Sequence, residues 1–592
     1  VNPTTQLPRW KLEALFKGLQ SPDFLEAYAR LEQQIGELEA LFERHEVGAR
    51  PMREDDPAAF AAVIGQLNAI TLSQSRINTY LYALISTDSA NEEAQARYSL
   101  YRGLTVRLQK LRPKLTLWLA RLDPDVVQAG EYRILIEEAR VQAQHLMSEA
   151  EEVLAAELSL SGGSAFARLH SDVSSQITAR VRGEELPISS VRLLAFDPDE
   201  ATRKAAYEAE LEAWKAHQIP LAAALNGWKG QQSTLNRKRG WSDDLEPTLF
   251  ANRITRKALE AMQEVMEASF PSWRRYFRAK AKALGKASLD WWDLFAPVGQ
   301  SHSRWSWEAG REFIIEHLAS FSPADAEVAR RMYALERIDA EPRKGKQVGA
   351  YCAHFGGGES LIFTNYEESF GGVSTMAHEL GHAYHNYCLR SKPPLLARGP
   401  MTLAETASIM NETIVTEAAL RRASEAEQLT LLEGNLQDAA QVIVDIHSRF
   451  LFERAVFERR KERELSASEF CALMLEAQQA TYADGLASYH PYMWAVKGHY
   501  YGIDFYNYPY AFGLLFGLAL YSKHLELGPD FLPQYEDLLA SVGVYPAKEL
   551  AARFGFDLEE PNFWQGGMEV LLERIERFER LVNAGQASSS SL

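Results

Sequence analysis

Apolar residues recur every three or four positions along much of the chain, the period of a helix with one buried face. In SPDFLEAYARLEQQIGELEALFERH the stripe is Phe24, Tyr28, Leu31, Ile35, Leu38 and Phe42. Ser21 is the predicted cap there, Pro22 the first helical residue and Asp23 a favourable charge at the positive helix end. FDPDEATRKAAYEAELEAWKAH repeats the arrangement with Asp197 and Pro198, and residues 60–160 keep the same period in Leu, Ala, Glu and Arg. Strand-like stretches are few. ESLIFTNY (359–366), following the glycines of HFGGG, reads as one strand and VGAYCAHF (348–355) as a second. The pattern predicts a mostly α protein with a small β-sheet next to the helix that follows those strands. No repeat of fixed period appears, which argues against a solenoid. GEELPISSVRLLAFDPDE interrupts two helical stretches and puts a boundary near residues 185–200. The expected organisation is therefore an N-terminal helical domain (1–195), a second domain (196–582) and a small, polar, disordered tail, NAGQASSSSL (583–592).

Composition narrows the functional classes. A chain of 592 residues, 46% hydrophobic and 24% charged, has the make-up of a soluble protein with a large core. Its net charge of −17 argues against a nucleic-acid binder, which needs clustered Lys and Arg. The short basic runs RKGKQ (343–347) and RRKERE (459–464) lie beside acidic residues and read as solvated loops or helix faces. Cys352, Cys388 and Cys471 are odd in number and far apart, which favours a reducing compartment over a disulfide framework. The opening VNPTTQLPRWKLEALF lacks a signal-peptide pattern, and no stretch of about 18 uninterrupted apolar residues occurs. The expected location is the cytoplasm, without membrane attachment.

Chemistry concentrates in MAHELGHAYH (376–385). Residues four apart stack on one side of a helix, so His378 and His382 can turn two imidazoles to one ion, with Glu379 about 100° further round. With 14 histidines and 80 acidic residues, a His-acid-x-x-His string is expected only about 0.04 times by chance. A catalytic zinc commonly takes three protein ligands and keeps a position for water. After Pro393 and Pro394 the next acidic residue is Glu405, in MTLAETASIMNETIVTEAAL, and it is the predicted third ligand. Glu412, almost two turns on, suits a hydrogen bond that fixes the tautomer of a ligating histidine. His385 reads as a packed structural histidine. The aromatic stretch YHPYMWAVKGHYYGIDFYNYPYAFG (489–513) is either core or a source of hydrogen-bond donors for an oxyanion.

RKGKQVGAYC, LIFTNY, AHELGHAYH, AETASIMNE and HYYGIDFYNYPYAFG together resemble the thimet-type oligopeptidases, most closely the oligoendopeptidase F branch, over roughly residues 200–580. The resemblance implies a large helical zincin-type metallopeptidase with two lobes around a deep channel, cutting internal bonds of short peptides. It implies one zinc per chain on His378, His382 and Glu405, and Glu379 as base. His499 matches the transition-state histidine, with Tyr506 and Tyr510 as hydroxyl donors and Tyr508 as packing. LIFTNY, as an exposed edge strand, would pair with the substrate backbone. Two rivals remain: a zinc carboxypeptidase on a similar scaffold, using Arg398 or Lys497 to hold the substrate's terminal carboxylate, and a helical binding protein with a structural zinc, which leaves Glu379 without a task.

Overall fold

The computed structural model describes residues 7–299 and 303–589 and is mostly helical, with one hairpin and one small sheet. It contains two compact units, each assembled from separate stretches of chain: Val1–Leu146, Ser303–Ala418 and Lys523–Gly555 in the first, and Met147–His302, Ala419–Ser522 and Phe556–Leu592 in the second. Among the described residues no helix is long and apolar enough to cross a membrane. All three cysteines are free.

In the first unit the stripe of the opening sequence becomes helix Pro22–Arg44, which buries Phe24, Leu31, Ile35, Leu38 and Phe42 against helix Asp56–Thr87. Ser21 occupies the cap position, but its hydroxyl donates to the Gly18 carbonyl (2.5 Å) instead of accepting a helix N–H. The sheet has the order Ile338–Asp339, Ser360–Phe363, Tyr351–His354, the first pair parallel and the second antiparallel. This corrects the expectation for LIFTNY: Ser360–Phe363 is the central strand and wholly buried, because strand Ile338–Asp339 covers the side that was expected to be open. The edges are the two-residue strand Ile338–Asp339 on one side and Tyr351–His354 on the other. The basic run before it is not a solvated loop. Arg343 donates to Asp339 Oδ1 and Oδ2 (2.7 and 3.0 Å), and the fully buried Lys346 ammonium reaches Asp339 Oδ1 (2.7 Å) and the Thr364 carbonyl (2.5 Å), tying the loop to the sheet.

In the second unit, strands Thr178–Val181 and Glu184–Pro187 form a hairpin that the helical period obscured. Arg182 and Gly183 turn it with φ of 50° and 92°, the left-handed pair that matches strand twist. The long helix Glu200–Lys238 is capped by Asp199, which accepts from Thr202 N (3.1 Å) and Thr202 Oγ1 (2.7 Å). Asp197, expected to be the cap, instead accepts from the Asp199 N–H (2.8 Å) and closes the preceding turn. Helix Pro561–Ser589 runs through residues 583–589 of the expected tail, and residues 590–592 lie outside the described residues.

Candidate metal centre

Helix Phe370–Cys388 carries both motif histidines. It packs in the first unit on helices Trp307–Phe321, Pro323–Ala334 and Phe531–Ser541 and on both long strands of the sheet. Ser369 caps it, accepting from Gly372 N (3.3 Å). The His378 and His382 rings stand 5.0 Å apart at 80°. Gly381, between them, determines what approaches from outside. A Cβ there would run into the Ala407 carbonyl oxygen and lie 2.6 Å from Ser408 Cα, so only glycine permits this contact with helix Thr406–Arg422. The contact brings in Glu405, which lies at the break between the short helix Met401–Ala404 and Thr406–Arg422 rather than inside one continuous helix.

The three donors converge. Glu405 Oε2 is 3.2 Å from His378 Nε2 and 3.4 Å from His382 Nε2, and one ligand atom from each residue lies within 4.8 Å of the others. Ligands about 2.0–2.1 Å from a tetrahedral ion stand about 3.3 Å apart, so the spacing fits zinc. His378 Nδ1 is 3.1 Å from Glu412 Oε2. With Glu412 accepting the Nδ1 proton, Nε2 points at Glu405: as a cation His378 donates to the carboxylate there, and once Nε2 gives up its proton its lone pair can hold a metal ion together with Glu405. The Ser408 hydroxyl, 2.8 Å from Glu405 Oε2, fixes the carboxylate.

Charges in this cluster are strongly coupled. Burial opposes the His378 cation, but Glu405 and Glu412 overcome it and hold its pKa well above the usual histidine range. Burial likewise opposes the Glu405 anion, and the hydrogen bonds to His378 and His382 push its pKa far below normal. Glu379 differs: burial raises its pKa despite both histidines, and its Oε2 has no hydrogen-bond partner among the described residues. A buried carboxylate of raised pKa, with an unused oxygen next to three converging donors, is equipped to take a proton from water. Buried His385 has its pKa lowered to about 4, chiefly by desolvation, and stands outside the donor group.

His499, Tyr506 and Tyr510 belong to the second unit. His499 lies in the turn Gly498–Tyr501 and stacks on Tyr506 (4.5 Å, 21°), whose hydroxyl is 2.8 Å from that of Tyr510. Burial, then the charges of Arg449 and Lys497, lower the His499 pKa and favour the neutral ring. Tyr508 is buried, donating to the Thr248 carbonyl (3.1 Å) and accepting from Asn252 Nδ2 (3.2 Å). Sequence reasoning missed the clamp on this loop. Buried Lys229 pairs with Glu453 and, at 2.7 Å, with Asp504; Trp228 Nε1 donates to Asp504 (3.0 Å); and Glu453 accepts the Phe505 N–H (2.9 Å). Phe505 is held at φ 50°, rare for a residue with a side chain. Lys229 and Asp504 are 275 positions apart, so no local signal marks them.

Residues 193–570 match the family model described as Peptidase family M3, and residues 126–178 match that described as Oligopeptidase F. The chain is 24% identical over 544 residues to an oligoendopeptidase F homolog of Lactococcus lactis subsp. lactis (strain IL1403), covering 87% of this chain and 89% of the relative. It is 23% identical over 535 residues to oligopeptidase PepF of Bacillus subtilis (strain 168), covering 86% and 78%. The solved structure of oligoendopeptidase-F from Enterococcus faecium superposes with a TM-score of 0.69 at 18% identity, over 95% of this chain and 99% of that one.

Proposed function

The chain belongs to peptidase family M3, and from that premise we propose that it is a zinc oligoendopeptidase whose metal is held by His378, His382 and Glu405. Its reaction is the hydrolysis of short peptides by a metalloendopeptidase of the oligoendopeptidase F kind. One observation carries the assignment of residues: three donors converge at tetrahedral spacing, with the unpartnered carboxylate of Glu379 one residue from a donor.

When bound there, zinc supplies Lewis acidity, polarising the peptide carbonyl and making a water a stronger acid near neutral pH. Glu379 takes the proton from the attacking water and passes it to the leaving amine nitrogen as the C–N bond breaks. Glu412 keeps the His378 proton on Nδ1. Edge strand Tyr351–His354, which lines the same cavity as the three donors, takes over the role first expected of LIFTNY and pairs with the substrate main chain. By their motif, His499, Tyr506 and Tyr510 are the donors to the developing oxyanion. The free cysteines support a cytoplasmic location.

The test uses a peptide blocked at both ends. The wild-type chain cleaves it internally, and Glu379→Gln keeps its zinc while losing turnover. Release of single C-terminal residues from unblocked peptides only, with blocked ones untouched, would replace this reading by the carboxypeptidase.

A further inference from the structure

The cavity of about 640 Å³ at the metal centre is lined by more than the donor group. Arg398 also lines it, and among the described lining residues it is the sole arginine or lysine. Its backbone is well fixed. Leu396 and Ala397 before it are buried, and a Cβ on Gly399 after it would lie 2.9 Å from Val542 Cγ2. Arg398 is exposed, and its side chain has no carboxylate partner among the described residues. Other arginines of the same unit have partners inside the protein: Arg343 is paired with Asp339, Arg331 and Arg337 with Glu359, and Arg390 donates to the Tyr387 carbonyl (2.8 Å). Asn78 lines the cavity too and makes no hydrogen bond within the protein among the described residues.

We propose that Arg398, with the Asn78 amide, is a subsite for a carboxylate of the peptide substrate, in short peptides the free C-terminal carboxylate. The proposal rests on the peptidase reading above. A guanidinium offers paired N–H donors in the geometry that a carboxylate accepts, and an arginine without an internal counter-ion leaves that fork free for a ligand. His354 lines the same cavity and stays neutral, its pKa lowered to about 4 first by burial and then by the Arg398 charge, so it brings no competing charge. Main-chain pairing along Tyr351–His354 reads no side chain and leaves the register of the peptide open. A fixed cation that grips the terminal carboxylate closes that freedom and sets the cut at a constant distance from the C-terminus.

Two measurements test this. Calorimetric binding is compared for one peptide as free acid and as C-terminal amide, in Glu379→Gln and in Glu379→Gln/Arg398→Gln, both metal-loaded. The expected result is a preference for the acid on the order of 10- to 100-fold in the first, collapsing towards one in the second. An acid-to-amide ratio that is equal in the two proteins overturns the proposal. An amidated peptide with a single Asp or Glu moved along it separates the sources: recovery of tight binding at one position, with no preference for the free terminus, assigns Arg398 to an acidic side chain and overturns the C-terminal assignment. In the second measurement, peptides lengthened at the N-terminus are cut by the wild-type chain at an unchanged distance from the C-terminus. Absence of any cleavage would remove the peptidase reading, while the binding ratio would still decide the subsite.

Discussion

Glu379 is buried and Glu405 half-buried in one cluster, yet their pKa values move in opposite directions, because Glu405 accepts hydrogen bonds and Glu379 does not. Their variants should separate accordingly. Glu379→Gln keeps the metal and loses turnover by roughly 10³-fold or more, since an amide cannot accept the proton of water. Glu405→Ala loses the metal, whereas Glu412→Ala largely retains it with an affinity lower by about 10- to 100-fold, as expected for a hydrogen-bond partner of a ligand. Elemental analysis alongside kcat distinguishes all three. Asp325, fully buried, provides a pH test away from the metal. Burial raises its pKa well above the usual value. The unfolded chain ionises it above about pH 3.9. The penalty linked to its ionisation is therefore absent below that pH and grows above it, until the folded group ionises as well. Asp325→Asn should raise Tm at pH 8 and change it little at pH 4.

At the scale of elements, Gly381 and the turn from Gly498 to Tyr510 carry the sharpest consequences. Gly381→Ala forces apart helices Phe370–Cys388 and Thr406–Arg422, costs about 1–3 kcal/mol of overpacking strain, and moves Glu405 from the histidines, so metal affinity falls together with stability. Calorimetric metal binding with thermal melts checks both. Tyr506→Phe or Tyr510→Phe should lower kcat by about 10²-fold or more with KM nearly unchanged, and Tyr508→Phe should lower Tm with near-normal kcat. Elements were legible where their signal is local. The stripe of helix Pro22–Arg44 and the four-residue spacing of His378 and His382 are written in consecutive residues. The edge strand was not legible, because which side of Ser360–Phe363 is covered depends on Ile338–Asp339, more than twenty positions away, and two residues carry no period. The break at Glu405 was hidden as well: ETAS contains no helix breaker, and Glu405 stands where two short-range helical stretches meet against Gly381.

At the scale of the whole molecule, the sequence marked the mostly helical class and the family, while the assembly of each unit from distant stretches has no sequence signal, being decided by which buried faces meet. Short peptides are the expected substrates, and intact casein should survive incubation that consumes a blocked heptapeptide; rapid digestion of casein would contradict this. The joint at Glu405 has one more consequence. The ligands of the proposed zinc come from helix Phe370–Cys388 and from the joint where helix Thr406–Arg422 begins against it, so the ion fastens that joint to the helix as well as serving the reaction. Anything that binds only the folded state stabilises it in proportion to its occupancy. Chelation should therefore lower Tm and quicken digestion by an added protease, both reversed by zinc. In a cell short of the metal, the protein would then be governed by its lifetime as much as by its rate: scarcity would first thin the population of molecules, and the supply of the ion would set how many copies persist.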